Sequence, residues 1–207
     1  MRIIDADGHI EESGRDIKPY LTPPYDRREG ALMPGLGLDA RMEGRFAKIE
    51  ASNLEVRLKD MDRETIDVSV LFPTTSFAVS KVFEREYAIA YTRAYNDFIA
   101  NYCKQSPRLK AVGLIPFQDV EAAVKETNRA ITELGLVGIA VATQGVREHL
   151  GSQTYWPIYE EIQRLNVPLC VHNRREGPNG DNRFDSFLYM HTIGRPTESV
   201  IQFVGLV

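Results

Sequence analysis

Asp7-Gly8-His9 sets a carboxylate and an imidazole two residues apart. In an extended segment that spacing puts both side chains on one face, and the glycine between them lets the backbone bend toward a ligand. Carboxylate oxygen and imidazole nitrogen are donors suited to a divalent metal. The D-x-H pattern by itself also fits a turn carrying a surface histidine. A second imidazole, His172, closes the apolar run Val-Pro-Leu-Cys-Val-His at 167–172. In parallel α/β folds ligands bind at the C-terminal strand ends. His172 then faces that site, the plainer alternative being a hydrogen-bonded core histidine. Asp7 and His9 follow the first apolar run in the same way, so three potential ligands converge on one face. Nitrogen and oxygen donors fit Zn²⁺, and the carboxylate also accepts Mn²⁺ or Mg²⁺.

A long loop, 173–190, follows His172 and carries Arg174, Arg175 and Arg183. Guanidinium forks suit a carboxylate substrate, and Arg174 and Arg175 are the candidate substrate-binding residues, against the plainer reading of a solvated loop. His149 and His191 have no partner at a diagnostic spacing and read as structural or exposed. Asp60, Asp62 and Glu64 read as a solvated helix face, and Tyr87, Tyr91, Tyr95 and Phe98 as core. Cys103 and Cys170 lack a CxxC partner, which excludes a cysteine-rich zinc site and leaves buried apolar roles. Glycine-rich phosphate loops and the GxSxG elbow are absent from the sequence.

The elements that must position these residues alternate. Short Val- and Ile-rich runs at 2–7, 67–72, 111–115, 137–142 and 167–172 suit strands buried on both faces of a parallel sheet. Between them lie helical stripes: a short one over 54–65, a long one over 81–104 that includes Phe83, one after the N-cap Asp119 with Gly135 at its end, one opening at Trp156-Pro157, and one over 196–207. Strand–helix alternation with right-handed crossovers predicts an α/β fold with a parallel sheet. Residues 12–50, rich in proline and glycine, read as an insertion after strand one that covers something.

Composition narrows the class. The 207 residues are 43% hydrophobic and 26% charged, which excludes a disordered chain. A net charge of −4 argues against a general nucleic-acid partner. No apolar run reaches the roughly 18 residues of a membrane span, and the start has no signal-peptide pattern, so the cytoplasm is the expected compartment.

An ordered set of segments carries a resemblance. Residues 4–12, Ile-Asp-Ala-Asp-Gly-His-Ile-Glu-Glu, then Arg57-Leu58-Lys59-Asp60-Met61-Asp62, residues 66–73, Gly113-Leu114-Ile115-Pro116, and 155–159 leading to 168–172 resemble the amidohydrolase-related proteins akin to aminocarboxymuconate-semialdehyde decarboxylase. The resemblance implies a (β/α)₈ TIM barrel of which about five strand–helix units are present, a single domain over 1–207 incomplete at its C-terminus. It implies a divalent metal on Asp7, His9 and His172, with D-x-H where the family often has H-x-H. It implies non-oxidative decarboxylation of an unsaturated or aromatic carboxylate, a small-molecule substrate and a homodimer. The family's catalytic histidine and a further aspartate ligand would fall beyond residue 207, so no acid/base is assigned and the chain alone is expected to turn over little. Two rivals stay open: a hydrolase or hydratase on the same scaffold, and a non-catalytic five-stranded open α/β domain that needs no metal.

Overall fold

The computed structural model describes residues 1–29, 32–33, 52–143, 145–173, 192–193 and 195–207. Among the described residues the strands are β1 (Ile4–Ile10), β2 (Val68–Pro73), β3 (Leu109–Ala111), β4 (Gly113–Leu114), β5 (Ile139–Ala142) and β6 (Leu169–His172). The α-helices among them are α1 (Gly14–Ile17), α2 (Leu54–Arg63), α3 (Arg85–Cys103), α4 (Val120–Thr132), α5 (Trp156–Arg164) and α6 (Arg195–Leu206).

Every strand pair is parallel, in the orders β1-β2-β3 and β4-β5-β6. The single third strand expected over 111–115 is two short pieces. The chain changes partner at Val112, whose N–H donates to the Leu71 carbonyl while the Gly113 N–H donates to Gly138. The five expected runs therefore stand side by side in chain order. A flat sheet would separate the first and fifth by four strand spacings, about 19 Å. The Nε2 atoms of His9 on β1 and His172 on β6 lie 3.1 Å apart. Only a sheet curled toward a barrel brings them together, which removes the open-sheet rival.

Local chemistry explains the helix ends. Asp119 caps α4 through a hydrogen bond from the Ala122 N–H, and Gly135 follows that helix at φ +71°, where a side chain would be strained. Pro157 lies in the first turn of α5, where its missing N–H costs nothing. The long helix starts later than expected. Phe83 precedes α3 and is 91% exposed, so it is not part of the apolar stripe. Gln118 donates to the carbonyls of Val79 and Val82, holding this stretch as a 3-10 turn (Ser76–Lys81) and an extended link. Tyr87, Tyr91 and Tyr95 are buried on α3 as expected, whereas Phe98 is only half-buried and Ile99 takes the buried place beside it. Part of the expected insertion packs on α3: Tyr20 meets Phe98 edge-on, and the Tyr87 hydroxyl donates to the Leu32 carbonyl.

β5 is buried throughout, whereas β6 is half-exposed, with Val171 at 41%. The expectation of burial on both faces fails for β6 and for the start of β1, where Ile4 is exposed, because among the described residues each has one strand neighbour. Val200, Phe203 and Val204 of α6 are likewise exposed. The other side of that helix is anchored: Gln202 accepts from the Leu150 N–H and donates to the Thr143 carbonyl.

Asn96, fully buried on α3, ties the helix to β4. Its amide donates to the Leu114 carbonyl and accepts from the Leu114 N–H, and it also donates to buried Glu126. Glu126 pairs in turn with Arg129 and Arg93. Asn96→Ala leaves the Leu114 groups without these partners and is expected to lower the unfolding free energy by about 2 kcal/mol, read by urea denaturation.

Candidate metal centre

A bulge aims the first two ligands. Asp5 pairs with Ser69 and Gly8 with Leu71, so three residue steps on β1 match two on β2. The extra residue rotates the strand locally. Gly8 is required there: a Cβ would sit 2.3 Å from the Ser69 Oγ, which itself donates to Asp5 Oδ2 at 2.8 Å. The Asp5 side chain also accepts from the Asp7 N–H. β1 runs on to Ile10, three residues beyond the expected end, so Asp7 and His9 both belong to the strand.

The three predicted ligands meet. Asp7 Oδ1 lies 3.9 Å from His9 Nε2 and 3.7 Å from His172 Nε2, with the two Nε2 atoms 3.1 Å apart. One ligand atom from each lies within 4.8 Å of the others. A tetrahedral ion with arms of about 2.1 Å needs donor–donor edges of about 3.4 Å, which this triangle matches. The His9 tautomer follows from its neighbours. Nδ1 lies 3.1 Å from the Pro73 carbonyl, which can only accept, so Nδ1 carries the proton. In the neutral ring Nε2 then offers its lone pair to the cluster. Holding a ring N–H on a backbone carbonyl is how metal-binding histidines are commonly oriented. Thr74 Oγ1 stands 3.3 Å from the same Nδ1. Asp7 has 77% of its side chain exposed, so the cluster opens to solvent on that side.

Aromatic rings wall the other side. Phe77, in the 3-10 turn after β2, stacks on His172 with centroids 4.7 Å apart and planes 16° apart. Phe72 lies 5.4 Å from His172 and 6.1 Å from His9. Behind them, Glu12 is 2% exposed. Its carboxylate accepts from the N–H groups of Thr74 (3.1 Å) and Ser76 (2.5 Å), locking the turn that carries Thr74 and Phe77. Burial pushes the Glu12 carboxyl above the ordinary carboxylate range, against the lowering effect of these bonds.

Glu12 and Phe77 were not among the expected site residues. Ile10 and Glu12 are both buried while Glu11 is exposed. The period-2 alternation of β1, extended past its end, was the available signal for Glu12. Phe77 touches His172 only through the curl of the sheet, which no local pattern encodes. His149 is exposed, lies against Gly205 of α6 and is not part of the cluster. Arg174, Arg175, Arg183 and His191 lie outside the described residues. The cysteines are half-buried rather than fully buried, and burial raises both thiols, Cys103 to about 12, which disfavours the thiolate a metal would need.

Residues 4–197 match the sequence pattern of the Amidohydrolase family. The chain belongs to that family. The chain is 37% identical over 165 residues to the gamma-resorcylate decarboxylase of Rhodococcus jostii (strain RHA1), covering 75% of the chain and 48% of that protein. It is 25% identical over 170 residues to the 2-amino-3-carboxymuconate-6-semialdehyde decarboxylase of Dictyostelium discoideum, covering 80% and 46%. Its fold superimposes with a TM-score of 0.76, at 22% identity, on a dihydroxybenzoic acid decarboxylase from Polaromonas sp. JS666 solved with bound manganese and 2-nitroresorcinol. That match covers 100% of this chain and 60% of the other. The architecture is therefore part of an amidohydrolase TIM barrel. The chain spans about half the length of the curated relatives it matches.

Proposed function

We propose that this chain carries the metal-binding part of a non-oxidative decarboxylase acting on an aromatic or unsaturated carboxylate. The observation that carries the reading is the triangle of Asp7, His9 and His172 at the C-terminal end of the curled parallel sheet. The ion we assign is zinc, on the two imidazoles and one carboxylate, with manganese the competitor that such a donor set also accepts. When bound, the ion supplies positive charge beside the substrate's oxygen atoms.

The chain's own residues do the rest that can be derived. Pro73 and Thr74 hold the His9 ring, and Phe77 holds the His172 ring, so neither imidazole must reorganise on binding. Phe72 and Phe77 offer an apolar wall on one side of the cluster, and the exposed Asp7 side offers the entrance. Arg174 and Arg175 are proposed to hold the substrate carboxylate. As the C–C bond to that carboxylate breaks, its electron pair stays on the ring carbon, which takes a proton from an acid/base group. That group is proposed to be a histidine belonging to the remainder of the barrel. The family resemblance also supports a homodimer.

The test uses 2,6-dihydroxybenzoate labelled with ¹³C at the carboxylate. With Mn²⁺ and this chain, the carboxylate signal is expected to broaden, and Asp7→Ala is expected to abolish the broadening. Any turnover is expected to yield ¹³CO₂. A hydrated or hydrolysed product would favour the hydratase or hydrolase reading. Substrate binding indifferent to the metal would overturn the proposal.

A further inference from the structure

The end of β1 lacks the backbone donors that a parallel ladder normally supplies. Its partner there is Pro73, opposite Ile10, which has no N–H. The next N–H, that of Thr74, is taken by the Glu12 carboxylate. The carbonyl of His9 is instead held by a side chain from outside the sheet: the Arg57 guanidinium donates to it through Nη2. Arg57 sits in the first turns of α2, whose start is fixed by the Asn53 side chain accepting from the Val56 N–H. Tyr102, near the end of α3, stands beside the same half-buried guanidinium. The cation therefore bridges α2 and α3 to the backbone of a candidate ligand.

We propose that Arg57 is a positioning residue of the metal centre. By holding the His9 carbonyl it fixes the rotation of the β1 end, and with it the directions in which the His9 imidazole and the Asp7 carboxylate face. The guanidinium touches neither metal nor substrate. It acts through one peptide group, as outer hydrogen bonds to metal ligands do. A planar fork suits this better than an ammonium, because one nitrogen can hold the carbonyl while the rest of the delocalised cation stands beside Tyr102.

The inference rests on the metal-centre reading, and Co²⁺ titration of the whole chain separates the two. Arg57→Met is expected to weaken Co²⁺ binding about tenfold and to alter the visible ligand-field absorption of the bound ion. Arg57→Lys, which keeps the charge and a single donor, is expected to restore most of the affinity. A purely structural role would lower the melting temperature of the metal-free chain but leave affinity and spectrum of the folded protein unchanged. No Co²⁺ binding by the wild-type chain would overturn the metal-centre reading and this inference with it. Wild-type binding matched by Arg57→Met in affinity and spectrum would overturn the inference alone. Should Arg57→Met fail to fold by circular dichroism, Arg57→Lys and Arg57→Gln carry the same comparison, and wild-type affinity and spectrum in both would overturn it.

Discussion

His172→Ala is expected to lower the affinity of the chain for Zn²⁺ by more than about a hundredfold, since loss of an outer partner alone costs about 10–100-fold. His172 supplies the only donor that reaches Asp7 and His9 from β6 among the described residues. Without it, two donors from one strand remain, with no third to close the triangle. Folding is expected to survive, because His172 ends its strand, and its ring contacts with Phe77 and Phe72 are worth about 0.5–1.5 kcal/mol each. His9→Ala is expected to match it. Asp7→Ala is expected to have the same effect on binding with no measurable loss of stability, since the Asp7 side chain is mostly exposed. Asp7→His is expected to keep binding and to shift preference from manganese toward zinc, because a softer nitrogen replaces an oxygen donor. Calorimetric titration against a competing chelator, paired with thermal melting of the metal-free variants, reads both effects.

The second large effect concerns Glu12. Its buried carboxylate satisfies two backbone N–H groups of the turn that carries Thr74 and Phe77. Glu12→Ala leaves both without that acceptor, each at about 1–3 kcal/mol, partly offset because a buried charge is no longer desolvated. The net expectation is a loss of about 3 kcal/mol, together with weaker metal binding as the Thr74 turn loosens. The pH dependence has a definite sign. Burial raises the folded-state carboxyl above its ordinary 4.5, so the folded protein binds a proton more tightly than the unfolded chain. That contribution is fully present below the ordinary value and is lost as pH rises through the raised one. Wild-type stability relative to Glu12→Gln is therefore expected to fall as pH rises across that window. Urea melts of both proteins at stepped pH test it, and a difference that rises with pH would contradict the burial argument.

Much of this centre was legible in the sequence, for reasons that can be stated residue by residue. Asp7, His9 and His172 follow apolar runs, and in a parallel sheet the ends of such runs share one face. The Asp119 cap and the Pro157 start were readable because capping is local chemistry. Three features were not. The break at Val112 depends on which neighbours flank the third run, a property of the whole sheet. Phe83 fits a helical spacing, yet Gln118, more than thirty residues later, claims the carbonyls of Val79 and Val82. The alternation of β1 singles out Glu12 over Glu11 as the buried one, but its partners in the turn after β2 lie more than sixty residues away. Each of the three depends on a partner that is distant in the sequence. The positioning of His9 belongs to the same class: the Arg57 contact spans 48 residues of sequence.

Asp7, His9 and His172 are proposed to hold one divalent ion. Anomalous diffraction at the zinc edge, from crystals of the chain grown with one equivalent of Zn²⁺, tests it most directly. The account predicts a single strong peak about 2.0–2.2 Å from Asp7 Oδ1, His9 Nε2 and His172 Nε2. A peak on other residues, with these three donors left unbound, would contradict it.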